Sequence, residues 1–313
     1  MMEKGLAAVV FPGQGTQRPG MGKDFYDQIP ASRETYEEAS DVLGWDVAAL
    51  CFDEDDDNLH LTAFSQPCIL TTEIAMLRGI AERYGFFPSF FGGHSLGEFT
   101  ALVAADAMPL AEAVNIVHRR GQLMQEAMPP GLGTMAAVIS ENLDGERLSR
   151  QLDDLAVDVA NVNSDHQVVI SGATDTMPDA AVRVQESLTE GQTFRFVPLH
   201  VSAPFHSRFM RPVEMHFEDV LRDAEKNFNA HNARHVTSNY TGNFHSNRWA
   251  DIFKSLVKQV SGVVRWKDNM KRIIAKTNTI YEVGPGRPLR DFFKTMNVNC
   301  LSITNLKSAE RIL

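Results

Sequence analysis

The sequence has few cysteines, no excess of positive charge and no long apolar run. Its three cysteines, Cys51, Cys68 and Cys300, are widely spaced and form no CxxC pair, which argues against a disulfide framework and a cysteine zinc site. The formal net charge of −10 makes the molecule as a whole a poor ligand for nucleic acid or an anionic membrane. We therefore expect a cytoplasmic protein that holds no metal and binds neither nucleic acid nor membranes.

The apolar runs that do occur are short. The first, residues 6–11, is too short for a signal peptide, and none approaches the length of a membrane span. That first run ends in Pro12-Gly13-Gln14-Gly15, which is typical of a buried parallel strand entering a glycine-rich turn. Ligands gather at the carboxyl ends of strands in open α/β sheets. Gln14 therefore either faces a reacting group or belongs to an ordinary turn.

A GxSxG pattern at residues 93–97 follows an aromatic run and precedes an alanine-rich helical pattern. This arrangement is typical of a nucleophile elbow, in which a serine at a sharp strand-to-helix turn projects its hydroxyl into a cleft. The free N–H groups at the start of the following helix point toward any oxyanion formed there. Ser95 is therefore a candidate nucleophile. The alternative is that Ser95 only caps the helix that follows.

Two further helical patterns carry polar residues of interest. Ser65 and Pro67 mark the expected start of one helix, with Ser65 as the N-cap and Pro67 in the first turn. A second helix is predicted over residues 110–128 and contains the basic pair Arg119 and Arg120. A charged pair on a helix usually faces solvent, and the helical pattern alone favours that interpretation.

A proline and glycine break at residues 129–133 separates two parts of the chain with different patterns. The elements that follow the break have the order βαββαβ, which is that of a ferredoxin-like split βαβ unit. We therefore expect an α/β fold. A large α/β-hydrolase-like domain with a parallel sheet comprises residues 1–133 and 201–313, and a small inserted ferredoxin-like subdomain comprises residues 134–200. The cleft that such an insertion creates is a preferred ligand site.

His206 lies in a proline-containing loop that directly follows the insertion. A histidine that re-enters the large domain beside the expected cleft is a candidate base for Ser95, because a serine hydroxyl becomes a good nucleophile only when a base removes its proton. The chain contains 10 histidines. Position in the chain, rather than residue type, singles out His206.

Taken together, these motifs resemble the malonyl-CoA:acyl-carrier-protein transacylases of fatty acid synthesis and the discrete acyltransferases of polyketide assembly lines. The resemblance runs almost from end to end. The motifs that carry it occur in the family's order: Phe11-Pro12-Gly13-Gln14-Gly15, Gln66-Pro67, Gly93-His94-Ser95-Leu96-Gly97-Glu98, Arg120-Gly121 with Met124-Gln125, Asn163 before Gln167-Val168, Phe205-His206-Ser207, Lys258-Gln259 and Glu282-Val283-Gly284-Pro285-Gly286.

The resemblance implies a ping-pong reaction through a seryl ester. Ser95 would attack the thioester carbonyl of malonyl-CoA while His206 takes its proton, and a backbone carbonyl near Gln259 would hold the other imidazole nitrogen. The backbone N–H groups of Gln14 and Leu96 would bind the oxyanion. The malonyl group would then pass to the phosphopantetheine thiol of an acyl carrier protein, and no cofactor beyond these substrates is implied.

The same resemblance implies the residues that select the acyl group. Arg120 would bind the malonyl carboxylate through two parallel hydrogen bonds, while Arg119 stays solvated. Phe205 stands where malonyl-selective members carry a bulky aromatic residue, although Ala203 and Pro204 depart from the residues that often precede it. Other implied substrate-site residues are Gln66, His94, Met124 and Asn163.

Several alternatives remain open from the sequence. The same scaffold suits a hydrolase that clears acyl groups from carrier proteins, an acyltransferase for another acyl-CoA, or a catalytically idle module that only docks carrier proteins. We expect a monomer whose partners are malonyl-CoA and an acyl carrier protein. Because carrier proteins are acidic, docking needs a local basic surface. Candidate residues for it are Arg208, Arg211, Arg287, Arg290 and Lys294.

Overall fold

A computed structural model describes residues 6–129, 131–188 and 192–313. Residues 1–5, on which the absence of a signal peptide partly rests, and Pro130 of the expected break lie outside the described residues. The strands are β1 Ala8–Phe11, β2 Phe90–Gly93, β3 Gly133–Ile139, β4 Val157–Ser164, β5 Gln167–Ala173, β6 Arg195–Leu199, β7 Thr237–Ser238, β8 Asn243–Phe244, β9 Ile280–Val283 and β10 Cys300–Ile303. The α-helices are α1 Lys23–Gln28, α2 Pro30–Leu43, α3 Val47–Phe52, α4 Thr62–Tyr84, α5 Gly97–Ala104, α6 Leu110–Glu126, α7 Gly145–Gln151, α8 Met177–Ser187, α9 Arg211–Arg222, α10 Ala230–Ala233, α11 Trp249–Gln259, α12 Trp266–Ile274, α13 Pro288–Lys294 and α14 Leu306–Ile312.

Strand β1 is central to a parallel sheet with the order β10-β9-β1-β2. All four of its residues are apolar and buried, as expected of a strand that is covered on both faces. The register places Phe11 opposite Gly93, so the turns that follow β1 and β2 leave the sheet side by side. The first of these turns carries Gln14 and the second carries Ser95.

The βαββαβ segment forms a separate antiparallel sheet with the order β4-β5-β3-β6. Helices α7 and α8 pack on it, and they share with its strands an apolar core distinct from that of the parallel sheet. The expected α/β fold with a ferredoxin-like unit is confirmed. The sequence pattern predicts the first helix of this unit over residues 141–152, and that start is wrong, because α7 begins at Gly145. Asp144 caps this helix and accepts hydrogen bonds from the backbone N–H groups of Glu146 and Arg147.

The predicted start of helix α4 was also wrong. The helix begins at Thr62, so Pro67 lies inside it rather than in its first turn. A proline inside a helix leaves the carbonyl four residues earlier without its usual N–H donor. That carbonyl belongs to Ala63, and it accepts a hydrogen bond of 2.8 Å from Nδ1 of His118 on α6. Nε2 of the same ring lies 3.0 Å from the side-chain amide of Gln122, and His118 thereby joins the two helices.

We expect His118→Leu to destabilise the fold by about 1–3 kcal/mol, because the Ala63 carbonyl then loses its donor. The free energy of unfolding in urea measures this effect. Gln122→Ala is the matched control, because it preserves the bond to Ala63 and should cost less than about 1 kcal/mol. Equal stabilities for His118→Leu and the parent protein would show that the imidazole does not replace the missing helical donor.

Candidate active site

Ser95 lies at a sharp turn between β2 and α5 and has a φ of 52°, a left-handed conformation that is costly for a residue with a side chain. The turn is compact, because a Cβ on Gly93 would overlap the backbone of Gly97. Asn239 spans the turn. Its Nδ2 donates to the carbonyl of Gly93 at 2.8 Å, and its Oδ1 accepts from the N–H of Ser95 at 3.4 Å. The serine is thus held as a nucleophile elbow requires.

The hydroxyl of Ser95 lies 2.7 Å from Nε2 of His206. The other ring nitrogen, Nδ1, lies 2.8 Å from the backbone carbonyl of Gln259 at the end of α11. Because a carbonyl only accepts hydrogen bonds, Nδ1 carries the proton and the lone pair of Nε2 faces Ser95. Burial, followed by the positive charge of Arg120, lowers the pKa of His206 to about 3, although the bond to Gln259 acts to raise it. The imidazole is therefore neutral at physiological pH and able to accept a proton.

Arg120 on α6 is buried beside this pair, with 1% of its surface exposed. One terminal nitrogen donates to Oε1 of Gln66 at 2.9 Å. The other donates to Oε1 of Gln259 at 2.9 Å and to the hydroxyl of Ser95 at 3.3 Å. Burial lowers its pKa to about 10, while the negative charge of Glu98 acts to raise it. The guanidinium therefore stays charged at neutral pH, which contradicts the solvent-facing interpretation drawn from the helical pattern.

A cavity of about 300 Å³ lies beside Ser95, and residues of both the large α/β domain and the antiparallel sheet line it. Met135 and Leu199 contribute to its wall from the antiparallel sheet. Of the sequence-predicted site residues, nine line this cavity: Gln14, Gln66, His94, Ser95, Leu96, Arg120, Met124, Phe205 and His206. The remaining two, Asn163 and Gln259, lie behind the cavity wall and hold residues that line it.

Asn163 acts on the cavity through His94. Its Oδ1 lies 2.8 Å from Nε2 of His94, and its Nδ2 donates to Oε1 of Gln167 at 2.7 Å. Burial lowers the pKa of His94 to about 4, so a neutral ring forms the wall beside Ser95. Asn163 was predicted as a substrate-binding residue, and its contacts are those of a support for His94.

Gln14 and Leu96 both line the cavity, and their backbone N–H groups are the predicted oxyanion donors. Within the described chain segments, neither group donates to another protein group. Gln14 is held by its side chain, whose Nε2 donates to Thr62 Oγ1 at 3.0 Å. Two free N–H groups beside a nucleophile form the arrangement that stabilises an oxyanion.

Sequence reasoning missed a buried polar cluster beneath the elbow. Glu98 was quoted within its motif but received no role, and Asn239 and His245 were not considered. The Glu98 carboxylate is fully buried and accepts from Nε2 of His245 at 2.9 Å and from the backbone N–H of Asn239 at 2.8 Å. The available signal was its position, because Glu98 is the one charged residue in the otherwise apolar helix α5.

The predicted docking residues differ in how free their charges are. Arg208 forms a double hydrogen bond with Asp158, with distances of 2.7 and 3.0 Å, and Arg290 pairs with Asp291 at 2.9 Å. Both of these charges are therefore already partly neutralised. Among the residues that the structure describes, Arg211, Arg287 and Lys294 have no such ion-pair partner. Their role stays a prediction.

Metal-ligand clusters and membrane-spanning helices are both absent from the described part of the chain. Among residues 6–129, 131–188 and 192–313, no group of three or more histidine, cysteine, aspartate or glutamate side chains could hold a metal ion. Within the same described residues, no helix is both long and apolar enough to cross a membrane.

Residues 8–277 match the family model described as the acyl transferase domain. This range contains every site residue described above, from Gln14 to Gln259. The chain belongs to the acyl transferase domain family. The resemblance inferred from the motifs is confirmed, and the dyad, the buried arginine and the two N–H groups are parts of an acyl transferase domain.

Relatives of this acyl transferase extend over nearly the whole chain. A malonyl CoA-acyl carrier protein transacylase of Bacillus subtilis (strain 168) is 38% identical over 301 residues, covering 93% of this chain and 90% of the relative. An acyl carrier protein S-malonyltransferase of Vibrio cholerae has a TM-score of 0.88 and 33% identity, with 98% and 99% of the two chains covered. A malonyl-transacylase solved in complex with its type II PKS acyl-carrier protein has a TM-score of 0.87 and 33% identity, with 98% of this chain and 99% of the other chain covered.

Proposed function

We propose that this acyl transferase moves the malonyl group of malonyl-CoA to the phosphopantetheine thiol of an acyl carrier protein. The proposal rests on one observation: the buried, charged guanidinium of Arg120 lies 3.3 Å from the nucleophilic hydroxyl of Ser95. A positive charge in a water-poor site favours an acyl group that ends in a carboxylate. The names of the relatives in Bacillus and Vibrio support the same substrate.

The first half-reaction forms the seryl ester. As the hydroxyl oxygen of Ser95 bonds to the thioester carbonyl carbon, Nε2 of His206 takes the hydroxyl proton. The resulting oxyanion receives hydrogen bonds from the N–H groups of Gln14 and Leu96. When the carbon–sulfur bond breaks, the leaving coenzyme A thiolate takes the proton from His206 and departs as the thiol.

The second half-reaction reverses these steps with a different thiol. The carrier's phosphopantetheine thiol gives its proton to His206 as its sulfur bonds to the ester carbon. The bond to the Ser95 oxygen then breaks, and that oxygen recovers the proton. The neutral carbonyl of Gln259 orients His206 throughout, and it stabilises the imidazolium less than a carboxylate would.

Selection among acyl groups follows from the contents of the cavity. Arg120 is already held by Gln66 and Gln259, so it is presented to a carboxylate with little loss of side-chain entropy. An acetyl group has no carboxylate, so it cannot pair with the desolvated positive charge of Arg120. Phe205 lines the same cavity and is buried, and we propose that it fills the space that an α-methyl branch would need.

Intact mass spectrometry tests the proposal. Malonyl-CoA should add a malonyl group to the protein, and holo acyl carrier protein should then remove it and accumulate as malonyl-carrier. Free malonate with little transfer would instead indicate a hydrolase. A protein that acquires no adduct from any member of an acyl-CoA panel would be a binding module, and the proposal would be wrong.

The pH dependence of ester formation should have no acid limb near the ordinary histidine pKa of 6.5. A base works only when it is unprotonated, and the pKa of His206 is lowered to about 3. The rate should therefore stay constant between about pH 5 and 8 and fall only in stronger acid. Rapid-quench measurement of the malonyl adduct at each pH checks this. A half-maximal rate close to pH 6.5 would contradict the lowered pKa.

The proposal also covers the oligomeric state, the cofactors, the location and the domain bounds of the enzyme. The enzyme acts as a monomer, without nucleic acid, metal ion or other cofactor, and in the cytoplasm. Its catalytic domain comprises residues 1–133 and 201–313, and its small subdomain comprises residues 134–200. Size-exclusion chromatography with light scattering tests the monomer, and limited proteolysis near residues 133 and 200 tests the two bounds.

A further inference from the structure

The elbow helix α5 places one carboxylate beneath the active site. Glu98 is fully buried, and it faces four donors. Oε1 accepts from Nε2 of His245 at 2.9 Å. Oε2 accepts from the backbone N–H and from Nδ2 of Asn239, at 2.8 and 2.5 Å, and from Nε2 of Gln259 at 2.8 Å. Burial acts to raise the pKa of Glu98, but the contacts with His245 and Asn239 lower it below its ordinary value, so the group is a carboxylate.

The contact with Gln259 is important because the carbonyl oxygen of the same side-chain amide contacts Arg120. A carboxylate only accepts hydrogen bonds, so the NH2 group of Gln259 must face Glu98 and the carbonyl oxygen must face away. That oxygen, Oε1, accepts from Arg120 at 2.9 Å. If the amide were reversed, its NH2 group would point at the guanidinium and the contact would be lost.

A second acceptor supports the same orientation. Nε2 of Gln259 also donates to the backbone carbonyl of Ser95 at 3.0 Å. A hydrogen bond to an ionised acceptor is about twice as strong as one to a neutral carbonyl. The Glu98 carboxylate is thus the stronger of the two constraints on the amide, and its charge also favours the charged form of Arg120.

We propose that Glu98 is a positioning residue for the acyl-selective arginine: it fixes the side-chain amide of Gln259, which in turn holds Arg120 for the substrate carboxylate. Glu98 does not line the substrate cavity. Its bond to the dyad is a backbone one, from its N–H to the carbonyl of Ser95 at 3.1 Å, while its carboxylate bonds to His245, Asn239 and Gln259. Its effect on the reaction passes through Gln259. This inference rests on the proposed malonyl transfer, because it concerns how the charged acyl group is chosen.

The test compares kcat/KM for two acyl donors, malonyl-CoA and acetyl-CoA. In Glu98→Gln a single amide oxygen replaces two carboxylate oxygens, so it cannot satisfy four donors and the orientation of Gln259 is no longer held by a charge. We expect the ratio of kcat/KM for malonyl-CoA to that for acetyl-CoA to fall by about tenfold, mainly through a higher KM for malonyl-CoA. Acetyl-CoA does not use the guanidinium, so its constants should change less.

Gln259→Leu provides a second variant that leaves the Glu98 carboxylate with three donors. It preserves the backbone carbonyl that holds His206 and removes only the amide. It should show the same selective loss of malonyl transfer. Because Glu98 acts through this amide, adding Glu98→Gln to Gln259→Leu should cause no further change in the ratio. A ratio that falls again in the double variant would overturn the proposed route.

The matched control is Glu73→Gln. Glu73 is another fully buried glutamate that contacts α5, through the hydroxyl of Thr100 at 2.6 Å, and it touches neither Gln259 nor Arg120. Its substitution should leave the malonyl to acetyl ratio unchanged. If Glu98→Gln lowers both rates equally, or Gln259→Leu retains the parent ratio, Glu98 has only a structural role. If the parent protein itself forms no malonyl ester, the proposed function fails first.

Discussion

Ser95→Ala is expected to abolish the malonyl adduct and to lower transfer to the carrier protein by at least about 10⁴-fold. The reaction has no covalent intermediate without the hydroxyl oxygen. His206 would then face a methyl group, which has no proton to give and cannot form an ester. The oxyanion N–H groups of Gln14 and Leu96 would remain, and they alone provide only a small residual rate.

Mass spectrometry after a short incubation with malonyl-CoA measures this loss directly. Ser202→Ala is the matched control, because Ser202 lines the same cavity and its hydroxyl contacts Thr62 Oγ1 at 3.2 Å rather than the dyad. The control should still form the ester. A malonyl adduct on Ser95→Ala in the same amount as on the parent would place the nucleophile elsewhere in the chain.

Arg120→Leu is expected to lower kcat/KM for malonyl-CoA by about 10²–10³-fold, because a desolvated charge pair with the substrate typically contributes about 3–4 kcal/mol. The rate with acetyl-CoA should fall far less, since that acyl group has no carboxylate to pair. The variant should therefore prefer malonyl-CoA much less than the parent does. Arg119→Leu is the control, because Arg119 is exposed and its guanidinium donates to the side chain of Gln122 rather than to a group at the cavity.

The same substitution has a second, independent readout in the pH profile. The positive charge of Arg120 is one of the causes that lower the pKa of His206. Without that charge the pKa should rise toward the ordinary value, so the acid limb of ester formation should move to higher pH. An unchanged malonyl preference in Arg120→Leu would refute the role of the guanidinium as the carboxylate clamp.

Glu98 connects these two predictions to the wider structure. A buried carboxylate near a buried guanidinium allows the site to keep a positive charge without solvent, provided that the amide of Gln259 lies between the two groups. Such a network is costly when it is only partly satisfied. We therefore expect substitutions beneath the elbow to alter acyl selectivity as well as stability.

Local patterns in the sequence were sufficient for the elements and for the sharp turn at Ser95. The apolar run at residues 6–11 predicted a buried parallel strand, and the order of elements predicted the ferredoxin-like unit, because strand and helix periodicity reflect which faces are covered. The GxSxG pattern predicted the turn at Ser95 because only a compact backbone fits there. Element bounds were predicted less well, as the start of α4 shows. Pro67 can lie inside that helix because the missing N–H donor is replaced by His118 on another helix.

Side-chain environment was decided by the tertiary structure. The helical pattern placed Arg120 beside Arg119 on a solvated face, and only the packing of α6 against α4 and α5 buries one guanidinium and exposes the other. Glu98 was visible in its motif, but its partners Asn239 and His245 are more than a hundred residues away in the chain. The sequence by itself determined a parallel α/β scaffold with a serine elbow, since those depend on neighbouring residues. The acyl selectivity of the site depends on burial and on contacts between distant segments, so only the folded chain decided it.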